Sequence, residues 1–328
     1  MQQRTIGNSG LRSSALGLGC MGMSEFYGAT DEQQSLATLH AALDAGVTLF
    51  DTADAYGFGH NEQLLGRFLR ERPGSALIAS KCGLARKPGA YARRIDNSPA
   101  YIRQACEASL VRLGVETIDL YYLHRVNLDT PLEESMGALA QLVQEGKIRA
   151  VGLCEVSATT LLRAAAIHPV AAVQSEYSLW SREPEQGVLA ACRQVGASFV
   201  AYSPLGRGFL TGAIGAKPSL DEGDFRQMNP RFAPDNLQYN QAIVDMLRQL
   251  AISKQCTPAQ LALAWLLAQG ENILAIPGTK RIAYLQDNLG ALQVTLSAAE
   301  LALIGAAFPP GIAAGARYTE EGMKGVDA

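Results

Sequence analysis

Short apolar runs alternate with longer amphipathic segments along most of the 328-residue chain. Alternation of this kind predicts strands separated by helices, and hence a parallel sheet. The runs that fit strands are Ala15–Gly19, Val47–Phe50, Ala76–Ser80, Ile118–Leu123, Ala150–Leu153, Ala171–Val173, Ser198–Ala201 and Ile273–Ile276. Eight parallel strands are the number that closes a barrel. We therefore predict an α/β fold, a (β/α)8 TIM barrel, with residues 1–328 as a single domain.

Capping signals precede several of the amphipathic segments. Ser98-Pro99 places a capping residue before a proline, which suits the first turn of a helix. The segments Thr30–Gln33, Thr257–Gln260 and Ser297–Glu300 have the Ser/Thr-x-x-Glu/Gln spacing of a capping box. These signals place helices between the predicted strands.

Two segments lie outside this rhythm. Residues Gln3–Arg12, with a turn at Asn8-Ser9-Gly10, predict a β-hairpin before the first barrel strand. Residues Ser203–Asn236 are rich in Gly and Pro and only weakly periodic. Loops of this length in a compact domain are usually functional or disordered. A tolerated surface insertion is the alternative.

The composition fits a folded protein with a large core, because 48% of the residues are apolar. The chain has 28 Lys and Arg against 31 Asp and Glu, a net charge of −3, so nucleic acid is not an expected partner. No run approaches the length of a membrane span, so we expect no membrane partner. The first residues lack the apolar run of a secretory signal, which favours a cytoplasmic location.

The six cysteines show no paired spacing that would indicate a disulfide framework or a zinc site. Their wide separation suits a reducing compartment, and we expect no bound metal. They are Cys20, Cys82, Cys106, Cys154, Cys192 and Cys256.

Titratable residues directly follow three successive predicted strands. They are Asp51, Lys81 and His124, and Tyr56 lies in the loop after Asp51. Active sites of (β/α)8 barrels lie at the C-terminal ends of the strands, so all four side chains should meet on one rim. Singly they are weak evidence, because an Asp often caps a helix and a Lys is usually solvated. Their coincidence favours an active site.

Together the four side chains would form a proton donor. A free tyrosine has a pKa near ~10, and a neighbouring ammonium such as that of Lys81 lowers it. Asp51 would keep the ammonium charged, and the His124 imidazole would hydrogen-bond the reacting oxygen. Such a unit protonates an alkoxide as it forms. The alternative is a structural Asp51–Lys81 ion pair with the two rings as wall residues.

Motifs along nearly the whole chain closely resemble the aldo-keto reductase superfamily, in particular the bacterial and plant branch that contains pyridoxal and perakine reductases. The resemblance is carried in the expected order by Leu49–Gly57 (LFDTADAYG), Ala79–Lys81 (ASK), Leu120–Arg125 (LYYLHR), Gln174–Trp180 (QSEYSLW), Ala201–Gly208 (AYSPLGRG) and Ile276–Lys280 (IPGTK). It implies a nicotinamide-dependent carbonyl reductase on a (β/α)8 barrel.

The resemblance also implies roles for single residues. Tyr56 matches the proton donor, Lys81 and Asp51 the pair that tunes it, and His124 the residue that orients the carbonyl oxygen. Around the nicotinamide, Tyr202 matches the stacking aromatic residue and Gln174 a ligand of the carboxamide. Further cofactor contacts are expected from Gly22, Met23, Cys154, Glu155, Ser203, Pro204, Leu205, Gly206, Gly208 and Gly278.

The chain departs from the family pattern at Cys154-Glu155, where many members carry Ser-Asn. An ionised carboxylate donates no hydrogen bond and a thiol is a weak donor. We therefore expect a different set of donors at this strand end and greater dependence on Gln174.

The adenosine end of the cofactor is expected after the eighth strand. Thr279, Lys280 and Arg281 precede a helix, and two cations at a helix start suit a phosphate monoester. The family binds the ribose 2′-phosphate here, so the resemblance implies NADPH. Asp287 and Asn288 match adenine-contacting positions. A solvated Lys-Arg pair is the alternative.

The loop Ser203–Asn236 is a candidate clamp for the cofactor. It contains Arg207, which is placed to bind the pyrophosphate.

The segment Gly17-Leu18-Gly19-Cys20-Met21-Gly22 matches the dinucleotide fingerprint G-x-G-x-x-G. That fingerprint requires a helix at the third glycine and an acidic residue about ~20 positions later. Neither follows here, so we predict that the glycines let the first strand-end loop pass close to the nicotinamide.

Substrate recognition is less defined. Phe26, Tyr27, Arg125 and Trp180 lie in loops at the same rim and suit a mostly apolar cleft with a few polar groups. The tail Pro309–Ala328 either folds over that cleft or packs on the surface.

Three functions are compatible with the rim. The first is NADPH-dependent reduction of an aldehyde or ketone, a small-molecule carbonyl substrate. The second is Schiff-base chemistry at Lys81, which a neighbouring carboxylate disfavours because it keeps the amine protonated. The third is a non-catalytic NADPH-binding sensor of the same fold.

Overall fold

The computed structural model describes residues 1–86, 93–127, 129–215 and 218–327. Its strands, numbered along the chain, are β1 Gln3–Thr5, β2 Arg12–Ser14, β3 Leu18–Gly19, β4 Leu49–Asp51, β5 Leu77–Cys82, β6 Leu84–Arg86, β7 Arg93–Ile95, β8 Ile118–Leu123, β9 Ile148–Cys154, β10 Ala172–Glu176, β11 Ser198–Tyr202 and β12 Ile273–Ile276.

Within these residues, eight parallel strands form one sheet in the order β3-β4-β5-β8-β9-β10-β11-β12. Parallel bridges Leu16↔Ala275 and Gly19↔Gly278 join the first strand to the last and close the barrel. All eight predicted strands are present, and the predicted fold class is confirmed.

The α-helices are α1 Glu32–Asp44, α2 His60–Glu71, α3 Pro99–Leu113, α4 Leu132–Gln144, α5 Ala158–Ile167, α6 Val188–Val195, α7 Pro234–Ser253, α8 Pro258–Leu267, α9 Ile282–Gly290, α10 Ala298–Ala307 and α11 Glu320–Met323. Short 3-10 helices occur at Met21–Met23, Tyr56–Gly59, Glu183–Gln186, Gly206–Thr211, Phe225–Met228, Pro230–Phe232 and Ala291–Gln293. In the part of the chain that the structure describes, no helix has the length and apolar character needed to cross a membrane.

Capping explains where the helices begin. The capping boxes predicted at Thr257 and Ser297 are both formed, and the Ser98 side chain accepts a hydrogen bond from the Tyr101 amide. The capping box predicted from Thr30 is wrong, because Asp31 caps α1 by accepting from the Gln34 amide. A carboxylate at this position also complements the helix dipole.

Strand ends extend further than the apolar runs suggest. Asp51 pairs with Ala79 and Lys81 pairs with Tyr122, so both charged residues belong to their strands. Polar side chains do not prevent backbone pairing, which is why the apolar runs stop too early. The predicted positions of Ile118–Leu123 and Ile273–Ile276 are unchanged.

The period of the strands decides which side chains face the barrel interior. Leu49, Ala79 and Tyr122 belong to the interior cluster, whereas their neighbours Phe50, Ile78 and Tyr121 pack against the helices. Two positions further along, the same inward register carries Asp51, Lys81 and His124, and likewise Gln174 and Tyr202 on β10 and β11. The fold thus aims these five side chains at the carboxyl-end opening.

The glycines of the G-x-G-x-x-G segment serve barrel closure. A Cβ at Gly17 would lie 2.9 Å from the Leu49 carbonyl oxygen, and one at Gly19 would lie 2.9 Å from that of Ile276. These distances are too short for a side chain, so the first strand can approach its two neighbours only with glycine at both positions.

The predicted N-terminal hairpin is present as β1 and β2 and covers the other end of the barrel. Its Ile6 and Leu11 side chains join the interior cluster. A second hairpin, β6–β7, was not predicted from the sequence. It extends from the rim directly after β5.

The long segment after β11 is structured in short pieces. Among its described residues, three 3-10 helices precede α7, which begins at Pro234 and so takes up the last residues of the predicted loop. We call residues 203–233 the clamp loop; residues 216 and 217 of the predicted loop lie outside the described residues. The tail ends in α11 and folds back onto the rim, and Ala328 also lies outside the described residues.

Arg4 anchors the hairpin to the barrel. Its buried guanidinium donates to the carbonyl oxygens of Leu267 (2.9 Å), Gly270 (2.9 Å) and Ile273. Three backbone acceptors around β12 therefore depend on one side chain.

We expect Arg4→Met to lower the free energy of unfolding by about 2–4 kcal/mol, because buried acceptors lose charged donors. Arg12→Met, in the same hairpin but exposed, is the matched control and should change stability by less than about 0.5 kcal/mol. Urea unfolding measures both. Equal effects of the two substitutions would contradict the anchoring role.

Candidate active site

A buried ion pair lies at the centre of the rim. The Lys81 ammonium, which has no exposed surface, donates to Asp51 Oδ1, to the Thr52 carbonyl oxygen (2.7 Å) and to the Tyr56 hydroxyl (3.3 Å). The second Asp51 oxygen accepts from Gln174 Nε2 at 2.7 Å. The predicted contact of Asp51, Lys81 and Tyr56 is therefore present.

The pair keeps its lysine charged despite complete burial. Burial lowers the pKa of Lys81, but attraction to Asp51 and to the Tyr56 phenol raises it, and the result lies above the ordinary lysine value. An ammonium of this kind is a poor nucleophile and a strong hydrogen-bond donor.

Tyr56 stays protonated at neutral pH. Burial raises the pKa of its phenol, and the Lys81 charge lowers it only in part, so the net pKa lies above the ordinary tyrosine value. Lys81 thus lowers the pKa of Tyr56, as predicted, but burial raises this pKa by more. The consequence is a hydroxyl that is available as a proton donor over the whole neutral range.

The Tyr56 and His124 rings meet edge to face, with centroids 5.7 Å apart and planes at 82°. Tyr56 begins the 3-10 turn after β4, and His124 directly follows β8. Two polar rings from different strand ends therefore flank one point at the bottom of the opening.

These residues line a cavity of about 620 Å³ at the rim. Most of the predicted site residues line it: Gly22, Phe26, Tyr27, Asp51, Tyr56, His124, Arg125, Gln174, Tyr202, Ser203, Pro204, Leu205, Arg207, Gly208, Gly278, Thr279, Lys280, Arg281, Asp287 and Asn288. Lys81 lies directly behind Asp51 and Tyr56, without reaching the surface.

Five other predicted residues are not among those that line the cavity: Met23, Cys154, Glu155, Gly206 and Trp180. Cys154 is buried in the barrel interior, where burial raises the pKa of its thiol to about 12. Trp180 stacks on Phe209 at 4.9 Å, and Gly206 lies against its indole. Trp180 therefore packs against the clamp loop, to which Gly206 and Phe209 belong.

Glu155 belongs to an ion pair with the tail. Its carboxylate accepts from Arg317 Nη2 at 2.6 Å and from the Glu176 amide at 3.0 Å. Its backbone has a positive φ of 52°, which is uncommon for a residue with a side chain. The partner is 162 residues away, which is why local sequence gives no sign of it.

Glu176 likewise forms ion pairs, here with two arginines of the clamp loop. Its fully buried carboxylate accepts from Arg207 Nη2 at 2.8 Å and from Arg231 Nη1 at 3.3 Å. Burial raises the pKa of this carboxyl, but the neighbouring guanidiniums outweigh burial and hold it below its usual value. Arg207 Nη1 is buried without a hydrogen-bond partner.

The clamp loop contacts the loop after β3. The Phe225 amide donates to the Phe26 carbonyl oxygen at 3.0 Å. The Lys280 ammonium donates to the carbonyl oxygens of Tyr27 (2.8 Å) and Ala29 (2.5 Å). Lys280 thus fastens this loop, whereas Arg281 at the start of α9 is exposed and has no ion pair within the described residues.

The tail covers the cavity, as one of the two sequence-based alternatives predicts. The Tyr318 hydroxyl hydrogen-bonds the Tyr202 hydroxyl at 2.8 Å and its ring lines the cavity. Asp327 accepts from the hydroxyls of Ser157 (2.9 Å) and Thr160 (2.6 Å) at the start of α5.

Other lining residues were not predicted individually from the sequence. They are Met21, Ala55, Leu84, Arg86, Thr211, Ala213, Ile214, Phe225, Arg226, Tyr284 and Tyr318, with Gly19, Ile276 and Pro277 at strand ends. Several lie in the clamp loop, which was predicted only as a whole. Arg86 lies in the unpredicted second hairpin, so nothing in the local pattern directed it to the rim.

Comparison with known proteins now decides the family. The family model described as "Aldo/keto reductase family" matches residues 15–308. The chain belongs to the aldo/keto reductase family. It is 46% identical over 323 residues to "Aldo-keto reductase yakc [NADP(+)]" of Schizosaccharomyces pombe, covering 94% of each chain. The family predicted from the motifs is thereby confirmed.

Solved structures of this family have the same fold. The glycerol dehydrogenase AKR11B4 of Gluconobacter oxydans matches with a TM-score of 0.83 and 31% identity, over 94% of this chain and 96% of that one. An aldo-keto reductase from Klebsiella pneumoniae, solved in complex with NADPH, matches with a TM-score of 0.74 and 29% identity, over 97% and 99%.

We expect Arg317→Met to lower the free energy of unfolding by about 3–5 kcal/mol, because it leaves the Glu155 carboxylate buried and unpaired. Lys324→Met is the control, since this tail lysine is 64% exposed. Urea unfolding and limited proteolysis of the tail provide the measurements. A tail equally resistant to protease in Arg317→Met and wild type would contradict the anchoring role of this pair.

Proposed function

We propose that this chain is an NADPH-dependent carbonyl reductase that converts aldehydes or ketones to alcohols, with Tyr56 as the proton donor. The observation that carries the proposal is the Tyr56 hydroxyl, which faces a cavity and is hydrogen-bonded to the buried Lys81–Asp51 pair. The fission-yeast relative named for NADP(+) and the Klebsiella complex with NADPH support this choice of cofactor.

Reduction of one carbonyl group to an alcohol requires one hydride and one proton. NADPH, when bound, supplies the hydride to the carbonyl carbon. Tyr56 gives its proton to the carbonyl oxygen, and the negative charge left on the phenolate is stabilised by the Lys81 ammonium 3.3 Å away. His124, at the edge of the Tyr56 ring, orients the oxygen. Solvent returns the proton to the phenolate after the product leaves.

The cavity has groups suited to the cofactor. Gln174, which is bonded to Asp51, and Tyr202 on the neighbouring strand both line the cavity and would hold the nicotinamide. The unpartnered Arg207 Nη1 suits a pyrophosphate oxygen. Arg281 at the N-terminus of α9 suits the 2′-phosphate, because backbone N–H groups and the helix dipole add to its charge.

Schiff-base chemistry at Lys81 fits the site poorly. The Nζ atom has no exposed surface and is bonded to Asp51, Thr52 and Tyr56, so no carbonyl carbon can approach it. A non-catalytic NADPH sensor would retain the same cavity, and steady-state turnover distinguishes it from a reductase.

We expect Tyr56→Phe to lower kcat for carbonyl reduction by about 10²- to 10⁴-fold while the Kd for NADPH changes by less than about threefold, because the phenol acts on the substrate oxygen. NADPH oxidation with an aldehyde panel and fluorescence titration measure the two quantities. Tyr239→Phe, an exposed tyrosine in α7, is the control. Parallel loss of turnover and of NADPH affinity would show that Tyr56 is structural.

The two cations after β12 should have separate effects. We expect Arg281→Met to reduce the preference for NADPH over NADH by about 10- to 100-fold, the value of one lost charged hydrogen bond. Lys280→Met should weaken both cofactors alike, since Lys280 holds the loop backbone. Titration of each variant with NADPH and with NADH gives the Kd values that test this expectation. A changed preference in Lys280→Met alone would contradict this division.

A further inference from the structure

Arg125 is a buried cation without a carboxylate partner. It directly follows His124, lines the cavity, and is only 5% exposed. Its Nη1 donates to the carbonyl oxygen of His124 at 2.7 Å, and its Nε is buried with no hydrogen-bond partner. Among the described residues, no carboxylate oxygen lies within 4.0 Å of its guanidinium.

The other buried arginines around it are paired. Arg317 is bonded to Glu155, and Arg207 and Arg231 share Glu176. Arg231 also lies 3.9 Å from the half-exposed Glu183 carboxylate. Four guanidiniums therefore accompany three carboxylates, which leaves an excess of one positive charge beside the cavity. An unbalanced charge in a buried cluster is costly unless an anion approaches it.

The cofactor is expected at the other end of the cavity, beside an arginine that already has a carboxylate partner. Arg207 belongs to the clamp loop, which is expected to hold the pyrophosphate, and its Nη1 is buried without a hydrogen-bond partner. Arg125 lies next to His124 instead, at the end where the carbonyl group reacts. An anion that neutralises Arg125 therefore belongs to the substrate.

Arg125 keeps its charge in this position. Burial lowers the pKa of its guanidinium, but the neighbouring Tyr202, Tyr318 and Glu155 groups raise it above the usual arginine value. Phe26, Leu84 and Tyr318 line the same cavity, so an apolar or aromatic body fits beside the charge.

We propose that Arg125 binds a carboxylate on the substrate, so that this chain prefers carbonyl compounds that carry one, such as aromatic carboxy-aldehydes. A guanidinium matches a carboxylate because both are planar and form paired hydrogen bonds. The inference rests on the proposed function, since it takes Tyr56 and His124 as the reacting end. Arg125 is thus a specificity-determining residue.

The kinetic test compares 4-carboxybenzaldehyde with its neutral methyl ester, methyl 4-formylbenzoate. We expect kcat/KM to favour the carboxylate by more than about tenfold in wild type, the value of a charged hydrogen bond. Arg125→Gln should remove the preference and Arg125→Lys should retain part of it. Arg163→Gln, which removes a cation from an exposed pair with Glu133, is the control and should keep it.

A binding test separates this proposal from the proposed reductase activity. Calorimetry with the NADP⁺-loaded protein compares 4-(hydroxymethyl)benzoate with its methyl ester and needs no turnover. A preference for the carboxylate that is lost in Arg125→Gln supports the Arg125 site, even if no aldehyde is reduced and the reductase proposal fails. Equal binding of both compounds by wild type, or an unchanged preference in Arg125→Gln, would overturn it. Arg125→Lys provides the comparison if the Gln variant does not fold.

Discussion

The geometry of the site is set by the buried Lys81–Asp51 ion pair, because burial of two charges costs free energy that their surroundings must offset. Two charges removed from water are stable only in good geometry with further hydrogen bonds. The barrel supplies these from three strand ends, because Asp51 ends β4, Lys81 lies near the end of β5 and Gln174 lies on β10. Tyr56, the proton donor that we propose, takes its position from this pair, since Lys81 is bonded to its hydroxyl.

The fold and the centre of the site were predictable from the sequence because both follow from short-range periodicity. Apolar runs locate the strands, and a period of two directs Asp51, Lys81 and His124 to the inside of one rim. The motifs of the family then imply the roles that we propose for them. The prediction of these residues requires no information about contacts between distant parts of the chain.

The contacts of several other site residues were not predictable because they depend on long-range pairing. Glu155 turns to Arg317, which is far along the chain, and Lys280 turns to the loop after β3 rather than staying free. The buried arginines connect the clamp loop and the tail to the barrel through Glu155 and Glu176. The clamp loop and the tail, which both line the cavity, are thus held by one charge network.

The central claim is that the proton comes from Tyr56, and the pH dependence of a single turnover tests it most directly. The rate of NADPH oxidation in the preformed NADPH complex, mixed with a saturating aldehyde in a stopped-flow instrument, would be followed from pH 6 to pH 9. Because burial holds the pKa of Tyr56 above its ordinary value, we predict a rate that changes by less than about twofold. A rate that falls as the pH rises through about 6.5 would assign the proton to a histidine such as His124 and contradict the account.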